Sequence, residues 1–216
     1  MKYELIIFDW DGTLADSTRR IVDSMARAAA ECGLPAVDDA DIQNIIGLGL
    51  PEAIKTVWPA VTDEQMKPMK AVYGRYFVSD SNVPAGLFAG ARSMLESLGT
   101  QRKLAVATGK SRKGLNRILA DLSLEDCFDA TRCADETASK PNPLMLEQIL
   151  SVLGVEPSAA LMVGDTTYDL DMARNIGMDT IGMSHGAHEE DRLCACGALA
   201  ICHSIQQLKD WIEHNG

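Results

Sequence analysis

Four short segments bring together residue types that can handle a phosphate group. The first is Asp9-Trp10-Asp11-Gly12-Thr13-Leu14, with two carboxylates two residues apart. A carboxylate can attack phosphorus and form an acyl phosphate. A second carboxyl beside it can protonate a leaving group and then activate water. Gly12 allows a turn that a side chain would obstruct. The plainer alternative is a capped turn at a strand end. The second segment is Val106-Ala107-Thr108-Gly109-Lys110. A hydroxyl at Thr108 and backbone N–H groups around Gly109 can hold a phosphate oxygen, or the segment is an ordinary strand-to-helix turn. The third is Ser139-Lys140-Pro141-Asn142-Pro143. Lys140 precedes a helix opened by prolines, where its charge can stabilise phosphoryl oxygens; the alternative is a solvated lysine. The fourth is Val163-Gly164-Asp165-Thr166-Thr167-Tyr168-Asp169. Mg²⁺ takes one or two protein carboxylates, several waters and substrate phosphate. Asp165 suits that role, and Asp169, one helical turn on, could hold a metal-bound water. Otherwise Asp165 caps the helix and Asp169 is a first-turn acid favoured by the helix dipole.

These segments need elements to position them. Leu5-Ile6-Ile7-Phe8 is a continuous apolar run ending at Asp9, as in a strand buried on both faces. Similar runs recur at 104–107, 160–163 and 199–202, with a weaker one at 180–183. Helical patterns lie between them. Ser111 can cap a helix from Arg112 to about Asp121, Asn142-Pro143 opens one that Gly154 stops, and a third runs from Thr166 to Ile176 before Gly177. Strand and helix alternate from Phe88 onward, which predicts a Rossmann-like parallel sheet with helices on both faces. The stretch from Ala15 to Pro84 differs. Ile21, Val22, Met25, Ala28, Ala29 and Cys32 recur at helical spacing, and helical patterns continue over 52–58 and 63–78. The predicted fold class is therefore α/β, with an all-helical insertion at 15–84 and a core of 1–14 and 85–216.

The chain has 216 residues and a formal charge of −11, with 46% apolar residues. That length supports a real hydrophobic core. The acidic balance excludes the basic face that nucleic acid requires. An anionic substrate would need local help from metal, lysine or backbone N–H groups. No apolar run approaches the ~20 residues that span a bilayer. Met1-Lys2-Tyr3-Glu4 leads straight into the first strand pattern, unlike a signal peptide. Six scattered cysteines read as reduced thiols of a cytoplasmic protein.

Taken together and in this order, the four segments resemble the haloacid dehalogenase-like hydrolase superfamily, and within it the phosphoglycolate phosphatase-like group with a helical cap. The resemblance covers nearly the whole chain. It implies Asp9 as nucleophile and Asp11 as general acid and base. It implies Mg²⁺ held by the Asp9 carboxylate, the Asp11 backbone carbonyl and Asp165, with Asp169 nearby. Thr108 and Lys140 would orient the phosphoryl group, with the backbone at Trp10 and Gly109 as further phosphate contacts. Residues 15–84 would form the cap. The dehalogenases of the superfamily lack the second acid of the first segment, so Asp11 favours phosphoryl chemistry on a small phosphorylated metabolite, phosphoglycolate by analogy. Two alternatives stay open: a sugar phosphomutase of the same superfamily, and a phospho-ligand binding module without turnover.

Other features are weighed on the same footing. Arg19, Arg20 and the loop Gly47-Leu48-Gly49-Leu50 are cap candidates for substrate contact, or else a solvated helix face and a helix connection. Lys55 is a further candidate for specificity. Cys194-Ala195-Cys196 with Cys202-His203 misses the usual metal-ligand spacing. His185-Gly186-Ala187-His188 follows a strand end, which can bring it to the rim of the site, or else it is a solvated loop.

Overall fold

The structure is a computed structural model that describes residues 2–79 and 85–216. Pro84, where the sequence places the end of the insertion, lies outside the described residues. Six strands, β1 (Leu5–Phe8), β2 (Lys103–Thr108), β3 (Ala130–Cys133), β4 (Ala160–Gly164), β5 (Asp179–Met183) and β6 (Ala200–Cys202), form one sheet in the order β3-β2-β1-β4-β5-β6. Every pairing is parallel. The chain winds outward from β1 to β3, then crosses back to β4 and winds the other way. The order therefore reverses around β1, and the carboxyl ends of β1, β2 and β4 face one crevice, where open α/β sheets bind ligands.

Side-chain alternation explains why the strands read as unbroken apolar runs. Ile6 and Phe8 point to one face, packing with Leu104, Val106, Leu161 and Val163 under α5 (Ala91–Gly99), α6 (Arg112–Asp121) and α10 (Ile205–Asn215). Leu5 and Ile7 point to the other, with Ala105, Ala107 and Met162 under α7 (Leu144–Leu153) and α8 (Thr167–Arg174). Both faces are buried, so neither offers a polar position. A shorter helix, α9 (Glu190–Ala195), leads into β6.

Four helices, α1 (Thr18–Glu31), α2 (Asp39–Gln43), α3 (Leu50–Val57) and α4 (Asp63–Ser79), follow β1. The apolar stripe of α1 buries Ile21, Met25 and Ala28 against Ile42, Ile54, Trp58 and Met69, a core separate from those on the two sheet faces.

Several boundaries differ from the sequence reading for local reasons. Strand β3 has the sequence Ala-Thr-Arg-Cys and no apolar run, because it is the sheet edge and only half of it is buried. Helix α7 starts at Leu144, with the Asn142 carboxamide oxygen accepting its N–H at 3.1 Å. Helix α8 stops at Arg174, short of Ile176. Ser111 caps α6 as predicted, accepting the Gly114 N–H at 3.2 Å. Among the described residues, no helix is long and apolar enough to cross a membrane.

Candidate active site

Asp9 follows the last residue of β1 and is buried. Its backbone N–H donates to the Val163 carbonyl at 2.9 Å, which extends the pairing with β4 and fixes the side chain over the crevice. Asp11 lies on the turn beyond. Gly12 has φ +81, and a Cβ there would lie 2.2 Å from an Asp165 carboxylate oxygen. A glycine is thus needed twice over, for the left-handed backbone and for the close approach of the fourth segment.

Lys140 joins the segments. Its side chain is buried, and Nζ donates to Asp9 Oδ1 and Asp169 Oδ1 at 2.6 Å each. Burial alone would lower the ammonium pKa; the Asp169 and Asp9 charges outweigh it and hold the pKa above its ordinary value. The solvated-lysine reading fails here. Asp169 is the first-turn acid of the helix reading, and it meets Lys140 as well. It closes a capping box at the start of α8, accepting the Thr166 N–H at 3.2 Å and hydroxyl at 2.7 Å, while its other oxygen binds Lys140. Asp165 does not cap the helix, because Thr166 takes that place. Its Oδ1 accepts the Thr13 hydroxyl and its Oδ2 the Ala187 N–H, both at 2.7 Å.

Carboxylate oxygens of Asp9, Asp165 and Asp169 lie within 4.8 Å of one another, all buried. Burial, then the neighbouring carboxylates, push Asp9 well above the usual range, against the opposing pull of Lys140. Burial and the Asp169 charge push Asp165 up to about 7. One lysine among three buried acids leaves negative charge uncompensated. Asp9 Oδ2 is buried and accepts no hydrogen bond from the described residues. Three buried carboxylates around a single ammonium group are a hard-oxygen donor set that fits a divalent cation.

The remaining predicted residues divide into those at the crevice and those away from it. Thr108 ends β2, fully buried, and its Oγ1 accepts the Lys110 N–H at 3.2 Å, leaving its own proton to donate. Among the described residues, no acceptor is found for the backbone N–H groups of Trp10, Asp11 and Gly109. The Trp10 ring packs edge-on to Phe128 in the sheet core. Gly47 lines the crevice with φ +100, and its carbonyl and that of Leu48 rest on Gly109. The Gly49 N–H donates to Ser139 Oγ at 2.8 Å. Arg19 is exposed on α1 and pairs with Asp23 at 3.1 Å, away from the crevice. Arg20 lies over the Phe77 ring. Lys55 is exposed and pairs with Asp63 at 3.7 Å.

Sequence reasoning missed two contributors, Lys110 and Ser17. Lys110 Nζ lies 2.9 Å from Asp11 Oδ1 and over the Phe77 ring at 4.6 Å, so it links the crevice to α4. The Ser17 hydroxyl donates to the same Asp11 oxygen at 2.5 Å. The 185–188 loop is not solvated: His188 is 2% exposed, and Ala187 serves Asp165. Of the two readings of this loop, the one drawn from its place after a strand end, approach to the rim of the site, is the one the contacts favour.

The chain has known relatives in sequence and in fold. Residues 6–183 match the family described as haloacid dehalogenase-like hydrolase. Phosphoglycolate phosphatase of Rhodospirillum rubrum is 29% identical over 96% of this chain and 90% of its own. Probable phosphatase IndB of Dickeya dadantii is 34% identical over 94% of this chain and 91% of its own. A hydrolase from Pseudomonas syringae has the same fold, with TM-score 0.90, 23% identity and 99% of each chain covered.

Proposed function

The chain belongs to the haloacid dehalogenase-like hydrolases, and from that premise we propose that it hydrolyses a small phosphorylated metabolite through an aspartyl-phosphate on Asp9, with Mg²⁺ bound beside it. It is a phosphoric monoester hydrolase; the covalent route and the metal are the proposal. The observation that carries it is the asymmetry of the Asp9 carboxylate. Lys140 fixes Oδ1 at 2.6 Å, while the buried Oδ2 has no partner among the described residues and is the attacking oxygen.

In the first step Oδ2 attacks phosphorus in line, and the bond from phosphorus to the ester oxygen breaks. Asp11 gives its proton to the leaving alkoxide. The Thr108 hydroxyl and the N–H groups of Trp10, Asp11 and Gly109 receive the phosphoryl oxygens. In the second step Asp11 takes a proton from water, the water oxygen attacks phosphorus, and the Asp9–phosphorus bond breaks to release phosphate. Asp9, the Asp11 carbonyl, Asp165 and Asp169 would hold Mg²⁺, which supplies charge neutralisation that lets two anions approach. Helices α1–α4, taken as residues 15–84, act as a cap that excludes water over the core at 1–14 and 85–216.

The test is phosphate release from a panel of phosphorylated metabolites with Mg²⁺ or chelator, using wild type and Asp9→Asn. Wild type should release phosphate only with Mg²⁺, and the variant should lose at least about four orders of magnitude in kcat while keeping its fold. Substantial turnover by Asp9→Asn would end the covalent reading.

A further inference from the structure

The crevice over Asp9 and Asp11 opens into a cleft of about 590 Å³ between the α1–α4 helices and α6. That lies within the roughly 300–1,000 Å³ of pockets that enclose ligands of drug size. A two-carbon acid phosphate would fill a small part of it.

The chemistry of the walls is one-sided. Ile21 and Met25 of α1, Ile45 and Ile46 of the loop between α2 and α3, Leu50 of α3 and Phe77 of α4 enclose the space above the acids. Among the described residues lining it there is no Asn, Gln, His or Glu, and Asp9 and Asp11 at the floor are the only acids. Sugar hydroxyls and base edges are usually read by such groups. Lys110 already serves Asp11 and the Phe77 ring, and the Ser111 hydroxyl caps α6. The Tyr73 hydroxyl has no hydrogen-bond partner among the described residues, and the Ser111 hydroxyl, which accepts the Gly114 N–H, keeps its own proton, so two neutral donors are left for a substrate acceptor. Lys70, Lys113 and Arg117 line the cleft as exposed side chains. In a chain of net charge −11 they form a local cationic exception that attracts a phosphate dianion.

We propose that the leaving alcohol of the substrate is a predominantly apolar body, aromatic or branched aliphatic, that packs against the Ile21–Met25–Ile46–Phe77 wall while its phosphate sits at Asp9 and Asp11. This rests on the phosphatase reading above and narrows it. Glycolate has no apolar surface for that wall to remove from water, and a polyhydroxylated sugar would bury hydroxyls without partners there.

The test compares esters of primary alcohols, so that leaving-group basicity stays nearly constant. Ethyl, butyl, hexyl and 2-phenylethyl phosphate and phosphoglycolate are assayed for kcat/KM with Mg²⁺. The matching alkyl and phenylethyl phosphonates, which cannot be hydrolysed, are assayed for equilibrium binding. Each methylene taken from water should raise kcat/KM and phosphonate affinity about fourfold, so hexyl phosphate should exceed ethyl phosphate by about two orders of magnitude. It should also exceed phosphoglycolate. A flat alkyl series, or phosphoglycolate above every apolar ester, would overturn the apolar leaving group and leave the phosphatase standing. Phosphonate affinity that climbs with chain length, with no ester turned over, would support the apolar cleft and remove the phosphatase reading.

Discussion

At the scale of single residues, the site is a problem of surplus charge. Asp9, Asp165 and Asp169 are buried around one ammonium group. Burial first, and neighbouring acids second, raise the carboxyl pKa of Asp9 and Asp165, the latter to about 7. A carboxyl with a raised folded pKa holds its proton more tightly folded than unfolded. Its contribution is therefore fully present below the unfolded value near ~4, and is lost as pH rises toward 7. The proposed Mg²⁺ binds only the ionised form and competes with those protons. The melting temperature with Mg²⁺ should match that with chelator below about pH 5 and exceed it increasingly toward pH 7. At a hundredfold excess over Kd the gain is about 2.7 kcal/mol, or roughly 5–10 °C for a chain of this length. A gap independent of pH across that window would move the metal away from these acids.

At the scale of elements, Asp9 and Asp165 stand where buried strands end and Asp169 in the first turn of α8, and close backbone contacts set the fit. Gly109 begins the β2–α6 turn, and a Cβ there would lie 2.5 Å from the Leu48 carbonyl and 2.6 Å from that of Gly47. Its neighbours are backbone atoms, so the 47–49 loop would have to move. Gly109→Ala should leave the melting temperature within a few degrees but lower kcat/KM by about tenfold to a hundredfold, since misplacement by about 1 Å can cost that much. Unchanged kinetics would show that the loop position is irrelevant to catalysis. This contact explains why part of the site was readable from sequence and part was not. Asp9, Thr108 and Asp165 could be placed because apolar runs announce buried strands and the acids follow them directly. Lys140 was readable as a lysine before a helix, yet its role depends on Asp9 and Asp169, which lie far away in sequence. Gly109 was readable as a backbone phosphate contact but not for its contact with the 47–49 loop, and Ser17 gave no signal, because their partners belong to other segments. Strand β3 escaped notice because an edge strand needs no continuous apolar run.

At the scale of the whole molecule, one side of the helical layer is tied to the sheet through Asn44, and a histidine makes that tie. The neutral His188 ring has its tautomer set by its partners: Nδ1 accepts the Thr167 N–H at 3.0 Å, so Nε2 carries the proton and donates to the Asn44 carbonyl at 3.0 Å. The Tyr168 hydroxyl donates to the same carbonyl at 3.0 Å, Arg192 to the Asn44 side chain at 2.7 Å, and Gln43 to the Ala187 carbonyl at 2.9 Å. Burial lowers the His188 pKa, and a proton added at Nδ1 would face the Thr167 N–H. The folded chain thus refuses a proton that the unfolded chain accepts near pH ~6.5. The contribution of this ring is fully present above that value and fades as pH falls toward the depressed folded pKa. Amide exchange of residues 43–49, corrected for intrinsic rates, should lose protection below about pH 6.5, by at most about tenfold per pH unit. His188→Gln keeps a donor but cannot titrate, so its protection should be flat across the same range. If wild type is equally protected at pH 5.5 and 7.5, with both values near or beyond the ~6.5 reference, the His188 tie does not control how the layer sits on the sheet.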